Sequence, residues 1–247
     1  MSRSITAITL ALLLLLVLVA TAPARLMALV LPAEQVVLQG LSGSLWQGRA
    51  ARCLLQLPGG YLHLGGVQWS LSPLSLLTLA PRLTVQSQWG AQGIAGEVTL
   101  RGDKDLYLED VDAALPAELL RQFLPVELAG TLSLQAQSLR IEGGLPTAAQ
   151  GRLVWQGAGW RAGQALRPLG SYVLEVQQPP GQPLSGQVLT LAGDVQAGGS
   201  VRLTGRDYLI DVVLAGPGLA DPQLQQALQL VATPREDDYH LLLRGEI

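Results

Sequence analysis

Beyond Pro32 the chain is a succession of short stretches in which apolar and polar residues alternate, separated by Gly, Pro and Asp. In residues 128–135 (LAGTLSLQ) the leucines fall on one face of an extended chain, and Thr, Ser and Gln fall on the other. This pattern predicts antiparallel sheet with one apolar face and one face near water. The clearest stretches are 36–39, 43–50, 62–71, 83–89, 96–100, 106–111, 126–139, 151–155, 172–176, 186–192, 198–204 and 208–214.

Two short helices are predicted between these stretches. Residues 116–124 (PAELLRQFL) begin with Pro, which fits the first position of a helix, space their apolar residues along one face, and are followed by Pro125. The second helix has Asp221 as N-cap and Pro222 in its first turn, and apolar residues follow at helical spacing up to Val231. We expect both helices to lie over an end of the sheet, where they complete a core or, in the alternative, act as lids.

An uncharged apolar run lies near the amino terminus. Residues 5–22 (ITAITLALLLLLVLVATA) are long enough, as a helix, to cover most of a bilayer core. Because leucine occupies every face, a transmembrane helix is favoured over a buried core helix. Residues 20–24 also resemble a signal-peptidase site, so a cleaved signal peptide is the alternative interpretation. The length of the run and Pro23 favour a retained anchor. Arg3 and Arg25 flank the run on opposite sides, and we place the amino terminus in the cytoplasm.

The domain organisation follows from these patterns. Residues 1–32 are predicted to comprise the cytoplasmic start, the transmembrane anchor and its flank, and residues 33–247 a single β-rich domain. Similar fragments that begin with Gly recur without a fixed period, which favours an extended antiparallel sheet of hairpins over a solenoid. A division of this domain into two similar halves that meet near 145–150 stays open. These fragments are 43–48, 130–134, 151–157 and 186–191.

Composition excludes several classes of function. With 49% hydrophobic and only 14% charged residues, the chain is not expected to be disordered. Sixteen basic against 19 acidic residues, a net charge of -3 and no basic run argue against nucleic acid as a partner. The single Cys53 cannot form an intramolecular disulfide, and Cys53, His63 and His240 do not have zinc-ligand spacing. We expect Cys53 to be a small buried hydrophobe or a free thiol.

No catalytic or metal site is predicted. A nucleophile needs an oriented base, and His63 and His240, the only histidines, both lie in alternating stretches where a surface or hydrogen-bonded position is expected. The acidic groups within 103–112 and at 236–238 do not follow the order of a calcium loop and are interpreted as turns. The alternative for the first group is a divalent ion at Asp103 and Asp105. No cofactor is predicted.

Two sequence elements follow the apolar run in a fixed order. Residues 41–50 (LSGSLWQGRA) contain the pattern G-[ST]-x-W-x-G, and residues 67–77 (VQWSLSPLSLL) contain W-x-[LF]-x-P-x-x-L-L. Strand-like segments that begin with Gly and a closing YHLLLRG come later. In this order, and over nearly the whole chain, the elements resemble the type II secretion system protein N family. The positions that carry the two patterns are Gly43, Trp46, Gly48, Trp69, Pro73 and Leu77.

The resemblance implies a non-enzymatic accessory component of a Gram-negative inner membrane, with one anchor and most of the chain in the periplasm. It implies that the protein assists export of folded proteins across the outer membrane, with other type II secretion components as its partners. The family is also similar to AsmA-type proteins, whose curled sheets with an apolar concave face are associated with lipid handling. A periplasmic lipid-binding or lipid-transfer protein is therefore the alternative, because alternating Leu strands give either a closed core or an open apolar groove.

The motif residues themselves allow two interpretations. Trp46 and Trp69 are candidate partner contacts, since Trp is enriched in binding hot spots, although a Trp in an alternating strand is more often a core residue. Gly43 and Gly48 are expected to serve an unusual backbone conformation or a close approach. Pro73 is expected to end a strand, and Leu77 to lie in the turn that follows.

Overall fold

The computed structural model describes residues 7, 9–10, 13–14, 17–27, 31, 36–57, 60–101, 105–122, 127–162, 165–178 and 181–246. These residues are mostly in β-strands, which confirms the all-β prediction, and every strand pairing described below is antiparallel. The chain divides into two compact units, residues 1–89 (the first unit) and 90–247 (the second unit). The predicted single domain of residues 33–247, with halves that meet near 145–150, stays a prediction.

The described residues of the first unit form five strands. β3 and β4 form its central hairpin, β5 continues the sheet on the far side of β4, and both β1 and β2 pair with β3 on its other edge. The residues predicted as one strand at 43–50 are a hairpin instead, because the chain reverses between β2 and β3. The strands are β1 (Val36–Gln39), β2 (Ser42–Gly43), β3 (Gln47–Leu57), β4 (Gly60–Leu71) and β5 (Arg82–Trp89).

In the second unit, the part of the chain that the structure describes forms ten strands in a simple order. Each strand from β6 to β12 pairs with the strand that follows it. β13 then pairs with β15, and β15 pairs with β14. The strands are β6 (Gln92–Leu100), β7 (Leu106–Pro116), β8 (Leu128–Glu142), β9 (Leu145–Ala162), β10 (Ala165–Gln178), β11 (Leu184–Ala192), β12 (Gln196–Thr204), β13 (Asp207–Ala215), β14 (Thr233–Pro234) and β15 (Tyr239–Glu246).

Strand register turns the sequence alternation of the second unit into continuous rows across the sheet. One apolar row runs over seven strands: Leu134, Leu153, Leu174, Val188, Gly199, Val212 and Leu241. The adjacent row lies on the opposite face, because neighbouring residues of a strand point to opposite sides. It is largely polar: Gln135, Arg152, Glu175, Gln187, Ser200, Asp211 and Leu242.

Short helices connect some of the strands. The predicted helix at 116–124 is a 3-10 helix at Ala117–Gln122, and Pro116 is the last residue of β7; residues 123–126 lie outside the described residues. The predicted second helix is α2 (Pro222–Leu228), whose N-cap Asp221 accepts hydrogen bonds from the Gln223 and Leu224 amides. A further helix that was expected only as a turn is α1 (Pro73–Leu77), and 3-10 turns lie at Ala24–Leu26 and Pro217–Ala220.

α2 completes a core at one end of the second unit. Leu224 is buried with Trp160, Val195 and Leu219, and Leu214 and Tyr239 pack against this cluster among other partly buried residues. This arrangement is the core-completing interpretation of the helix. It covers the apolar side chains at the end of the sheet, whereas Leu134 and Leu243 remain exposed.

The N-terminal apolar segment (residues 5–22) is described only in part. Residues 7, 9–10, 13–14 and 17–20 are helical, and residues 5–6, 8, 11–12 and 15–16 lie outside the described residues. Within the part of the chain that the structure describes, no helix has both the length and the hydropathy needed to span a membrane.

Candidate functional site

The first sequence element forms a tight hairpin of residues 42–49, called here the motif hairpin. The Ser44 amide donates to the Gln47 carbonyl at 2.9 Å, and the Gln47 amide donates back to Ser44 Oγ at 3.0 Å. Leu45 and Trp46 therefore lie at its tip. Gly43 has a φ of +89°, where an added Cβ would stand 2.6 Å from the Gln47 carbonyl oxygen, so this turn requires glycine.

The tip of the motif hairpin is hydrogen-bonded to the end of the apolar segment. The Leu45 amide donates to the Ala22 carbonyl at 2.8 Å, and the Trp46 indole Nε1 donates to the Val19 carbonyl at 2.9 Å. Pro23 and Ser44 also form an isolated antiparallel bridge. These donors hold the hairpin tip against the end of the apolar segment, where the Val19 carbonyl also accepts from the Ala22 amide at 3.2 Å.

Trp69, from the second sequence element, is the centre of the core beneath this hairpin. Its side chain is only 6% exposed and lies in one cluster with Ala24, Met27 and Ala50, against which Leu45 also packs. The Trp69 indole Nε1 donates to the Leu45 carbonyl at 3.1 Å. Trp69 is thus a core residue in this structure, and its ring reaches the hairpin tip.

Gly48 allows Trp69 to take this position. The two residues are directly paired between β3 and β4, and a Cβ on Gly48 would stand 2.7 Å from Trp69 Cε2 and 2.7 Å from the Ser44 carbonyl oxygen. Both distances are shorter than a van der Waals contact, so the ring lies on the bare backbone of Gly48. This is a close approach of the kind that a strand glycine permits.

The remaining motif positions lie just beyond the same edge. β4 ends at Leu71, whose amide donates to the Trp46 carbonyl at 2.7 Å, and α1 begins with Pro73. Leu77 is the last residue of α1 and is highly exposed. The structure therefore brings Gly43, Trp46, Gly48 and Trp69 into one cluster and places Pro73 and Leu77 in the adjoining loop. A partner contact at any of these positions stays a prediction.

Sequence reasoning missed the partners of the motif hairpin. Ala22, Ala24 and Met27 are buried against it, yet the small residues at 20–24 were considered only as the flank of an anchor or as a cleavage signal. The sequence signal for this contact was the small size of Ala22 and Ala24, because alanine packs closely against an aromatic ring where longer side chains do not fit.

A groove of about 530 Å³ on the first unit is lined by Gly43, Gly48 and Trp69 of the motif cluster and by polar residues of β2 to β5. Arg49 Nε donates to Ser42 Oγ at 3.0 Å within it. Its other polar side chains are uncharged donors and acceptors. These other polar residues are Gln47, Gln68, Ser70, Thr84 and Gln86.

His240 lies between a carboxylate and a guanidinium. His240 Nε2 lies 2.7 Å from Asp211 Oδ1, and Nδ1 lies 2.8 Å from Arg235 Nη2, so each ring nitrogen has a hydrogen-bond partner. Among the described residues, no group of three or more His, Cys, Asp and Glu side chains is placed to hold a metal ion. Of the two candidate ligands of a divalent ion, Asp103 lies outside the described residues, and Asp105 Oδ1 accepts a hydrogen bond from the Gly143 amide.

Tyr172 gives a testable alkaline transition. Burial raises the pKa of Tyr172 to about 12, and its hydroxyl donates to the Val195 carbonyl at 2.8 Å. Below pH 10 both the folded and the unfolded chain hold the proton; between pH 10 and 12 the unfolded chain releases it first, so stability is expected to fall in that window. Ultraviolet titration of the five tyrosines should show one late group, which Tyr172→Phe removes together with part of the fall. An unchanged late titration in Tyr172→Phe would contradict this assignment.

The Trp46 hydrogen bond gives a second prediction. Trp46→Phe keeps an aromatic ring but removes the Nε1 donor to Val19, which is worth about 1 kcal/mol. We expect faster hydrogen exchange at the Leu45 amide, whose acceptor Ala22 belongs to the same contact. The matched control is Trp89→Phe, at an exposed tryptophan of the same unit. Equal exchange rates at Leu45 in the two variants would show that the indole does not hold the segment.

Comparisons with known proteins agree on one family. The family model described as "Type II secretion system (T2SS), protein N" matches residues 34–241. A protein of Aeromonas hydrophila named type II secretion system protein N is 29% identical over 220 residues, 83% of this chain and 82% of that protein. One of the same name from Pectobacterium carotovorum subsp. carotovorum is 27% identical over 179 residues, 70% of this chain and 66% of that protein. No solved structure gives a significant match.

Proposed function

The chain belongs to the type II secretion system protein N family, a secretion component, and on that premise we propose that it is a non-enzymatic accessory protein of this system. In this proposal residues 5–22 hold it in the inner membrane as a single anchor, and the β-rich remainder works in the periplasm with other secretion components during export of folded proteins.

The observation that carries this proposal is the joint between the apolar segment and the motif hairpin. Hydrogen bonds from Leu45 and Trp46 reach the last carbonyls of the segment, and Ala22 and Ala24 are buried beside Trp69. Cleavage after Ala22 would remove both carbonyl acceptors from this joint. The packing therefore supports a retained anchor that is built into the folded unit.

The hydrogen-bond partners of His240 support a role without catalysis. Both of its ring nitrogens are occupied, one by Asp211 and one by Arg235, which leaves no nitrogen to accept a proton from a nucleophile. Burial raises the pKa of the Cys53 thiol, which disfavours the reactive thiolate.

The direct test is deletion of the gene in the source bacterium, followed by comparison of secreted and periplasmic proteins. We expect folded cargo to accumulate in the periplasm and to be secreted again when the full chain is restored. A chain that carries Gly66→Ala should restore secretion as well as the unsubstituted chain does, because a Cβ at this position meets its nearest neighbour only at 3.9 Å. Unchanged secretion in the deletion strain would contradict the proposal.

A second function, lipid binding or transfer, is favoured by one observation in the second unit. The apolar row that contains Leu153 and Leu174 is partly exposed, and Leu134 at its start is exposed. An apolar surface that crosses seven strands is of the size that acyl chains cover.

This alternative is tested by photocrosslinking in intact cells. A photoreactive residue at Leu174 is expected to capture phospholipid if the apolar face binds acyl chains. The matched control is the neighbouring Glu175, which points to the opposite, polar face of β10. Phospholipid capture equal at the two positions, or at neither, would contradict lipid binding by this face.

A further inference from the structure

The loop that contains α1 presents three large apolar side chains to its surroundings. Leu74 is 75% exposed, Leu77 is 82% exposed and Leu79, just after α1, is 88% exposed. Isolated exposed leucines are common, but three within six residues of one short loop form a local apolar surface.

The backbone of this loop has an unusual conformation at its most exposed leucine. Leu79 has a φ of +53°, in the left-handed region that bulky residues rarely adopt. Backbone strain of this kind persists only where the surrounding structure enforces it, and it concentrates at functional sites. Here the strained residue is also the most exposed leucine of the loop.

Several polar groups of the loop are already bonded within it. Ser75 Oγ donates to the Ser72 carbonyl at 2.6 Å and accepts from the Arg82 amide at 2.9 Å. Thr78 Oγ1 donates to the Ser75 carbonyl at 2.9 Å, and the Leu79 amide donates to the Leu76 carbonyl at 3.1 Å. Internal bonding lowers the desolvation cost of moving a loop out of water, which is the requirement for contact with lipid.

The position of the loop identifies what covers it. Leu71, just before the loop, donates from its amide to the Trp46 carbonyl, and the Trp46 indole is bonded to Val19 near the end of the apolar segment. The leucine loop and the end of the segment therefore lie at one edge of the first unit. Tryptophan is enriched at the level where a membrane meets water.

We propose that residues 73–79 insert their leucines into the lipid surface of the bilayer beside the N-terminal apolar segment. This second contact orients the first unit on the membrane, where a single helix leaves it free to rotate. The inference rests on the membrane attachment given under the proposed function. It adds an attachment site that lies on α1 and Leu79 rather than on the apolar segment.

The test uses the full chain reconstituted in vesicles of phosphatidylethanolamine and phosphatidylglycerol. A polarity-sensitive fluorophore is attached to Leu77→Cys, and the unsubstituted chain is the labelling blank, because Cys53 is buried and its thiol pKa is raised. We expect blue-shifted emission and strong quenching by lipids with a nitroxide just below the headgroup, since interfacial apolar groups lie about 5–10 Å into the boundary region.

Two further labelling positions make the outcomes distinct. Tyr61→Cys is the matched control at an exposed site of β4, roughly 30 Å along the strand from Leu71, and it should remain unquenched. Leu14→Cys reports the apolar segment itself. Quenching at Leu14 with none at Leu77 would overturn the loop contact and leave the anchor intact, whereas no quenching at either would overturn both.

The same position distinguishes lipid from a protein partner in cells. A photoreactive residue at Leu77 is expected to capture phospholipid. Capture of one protein in stoichiometric yield, with no phospholipid adduct, would overturn the proposal.

Discussion

Trp69→Ala is expected to lower the free energy of unfolding of the first unit by about 3–5 kcal/mol. The indole fills the space between Ala24, Met27 and Ala50, and truncation leaves a cavity that the strands cannot close. It also removes the donor to the Leu45 carbonyl, which anchors the tip of the motif hairpin from below. The loss therefore combines packing and a hydrogen bond at one point.

Hydrogen exchange followed by mass spectrometry measures this effect unit by unit. Peptides from β3 and β4 should exchange much faster in Trp69→Ala, while peptides from β9 in the second unit provide an internal reference. Trp89→Ala is the matched control, because Trp89 is exposed and lies in the same unit. Similar acceleration in the two variants would show that Trp69 is not the centre of the core.

The same variant connects stability to secretion. If the joint between the apolar segment and the motif hairpin is what the secretion role requires, Trp69→Ala should fail to restore secretion in a deletion strain, even where its level in the membrane equals that of the unsubstituted chain.

The alternation of residues predicted the sheet well, because in antiparallel strands it reflects a direct physical requirement. The leucines of residues 128–135 lie in β8, and the register aligns Leu134 with Leu153 of β9 and then with Leu174 of β10. Several of the strands predicted from the sequence are shorter than those of the structure. β9 extends over Leu145–Ala162 and contains Pro146 and several glycines, which were interpreted as strand ends.

Register shifts explain this difference. The pairing of β9 with β8 and β10 is interrupted at several points, for example around Gly130 and Gly170, where the backbone has positive φ. A bulge lets a strand pass such a residue and continue, so Gly and Pro mark irregularities within long strands as well as their ends. Local sequence contains no signal that separates the two cases.

The contacts of the motif positions could not be predicted from the sequence, and a functional role for these positions stays a prediction. The spacing of Gly43, Trp46 and Gly48 indicated a compact element, but the residues predicted as one strand form a hairpin whose tip bonds to Val19 and Ala22. Those partners are more than twenty positions away, and their recognition depends on backbone carbonyls, which every residue has.

Gly48→Ala is expected to cost about 3 kcal/mol, although the change adds a single methyl group. The new Cβ would meet the Trp69 ring and the Ser44 carbonyl oxygen at 2.7 Å, so either the ring or the hairpin must move. Both movements weaken the bond from Trp69 Nε1 to Leu45 and the two hydrogen bonds from the hairpin tip to the apolar segment. Faster exchange in β3 and at Leu45 is the measurement.

Gly66→Ala is the matched control for Gly48→Ala, since both glycines lie in strands of the same hairpin and neither needs a positive φ. With its nearest neighbour at 3.9 Å, Gly66→Ala should be neutral or stabilising by about 0.4–1 kcal/mol, because alanine has less conformational freedom to lose. Equal destabilisation in the two variants would refute the close-approach argument.

A double variant separates the ring from the hairpin as the source of the Gly48 effect. Trp69→Leu removes the aromatic atoms that the new methyl would strike, so Gly48→Ala in that background should cost less than it does in the unsubstituted chain. The Ser44 carbonyl still opposes the methyl, and part of the cost should remain. Full additivity of the two free-energy changes would mean that Gly48 and Trp69 do not interact. The contact with the Ser44 carbonyl oxygen would then be the reason that the motif hairpin requires glycine at position 48.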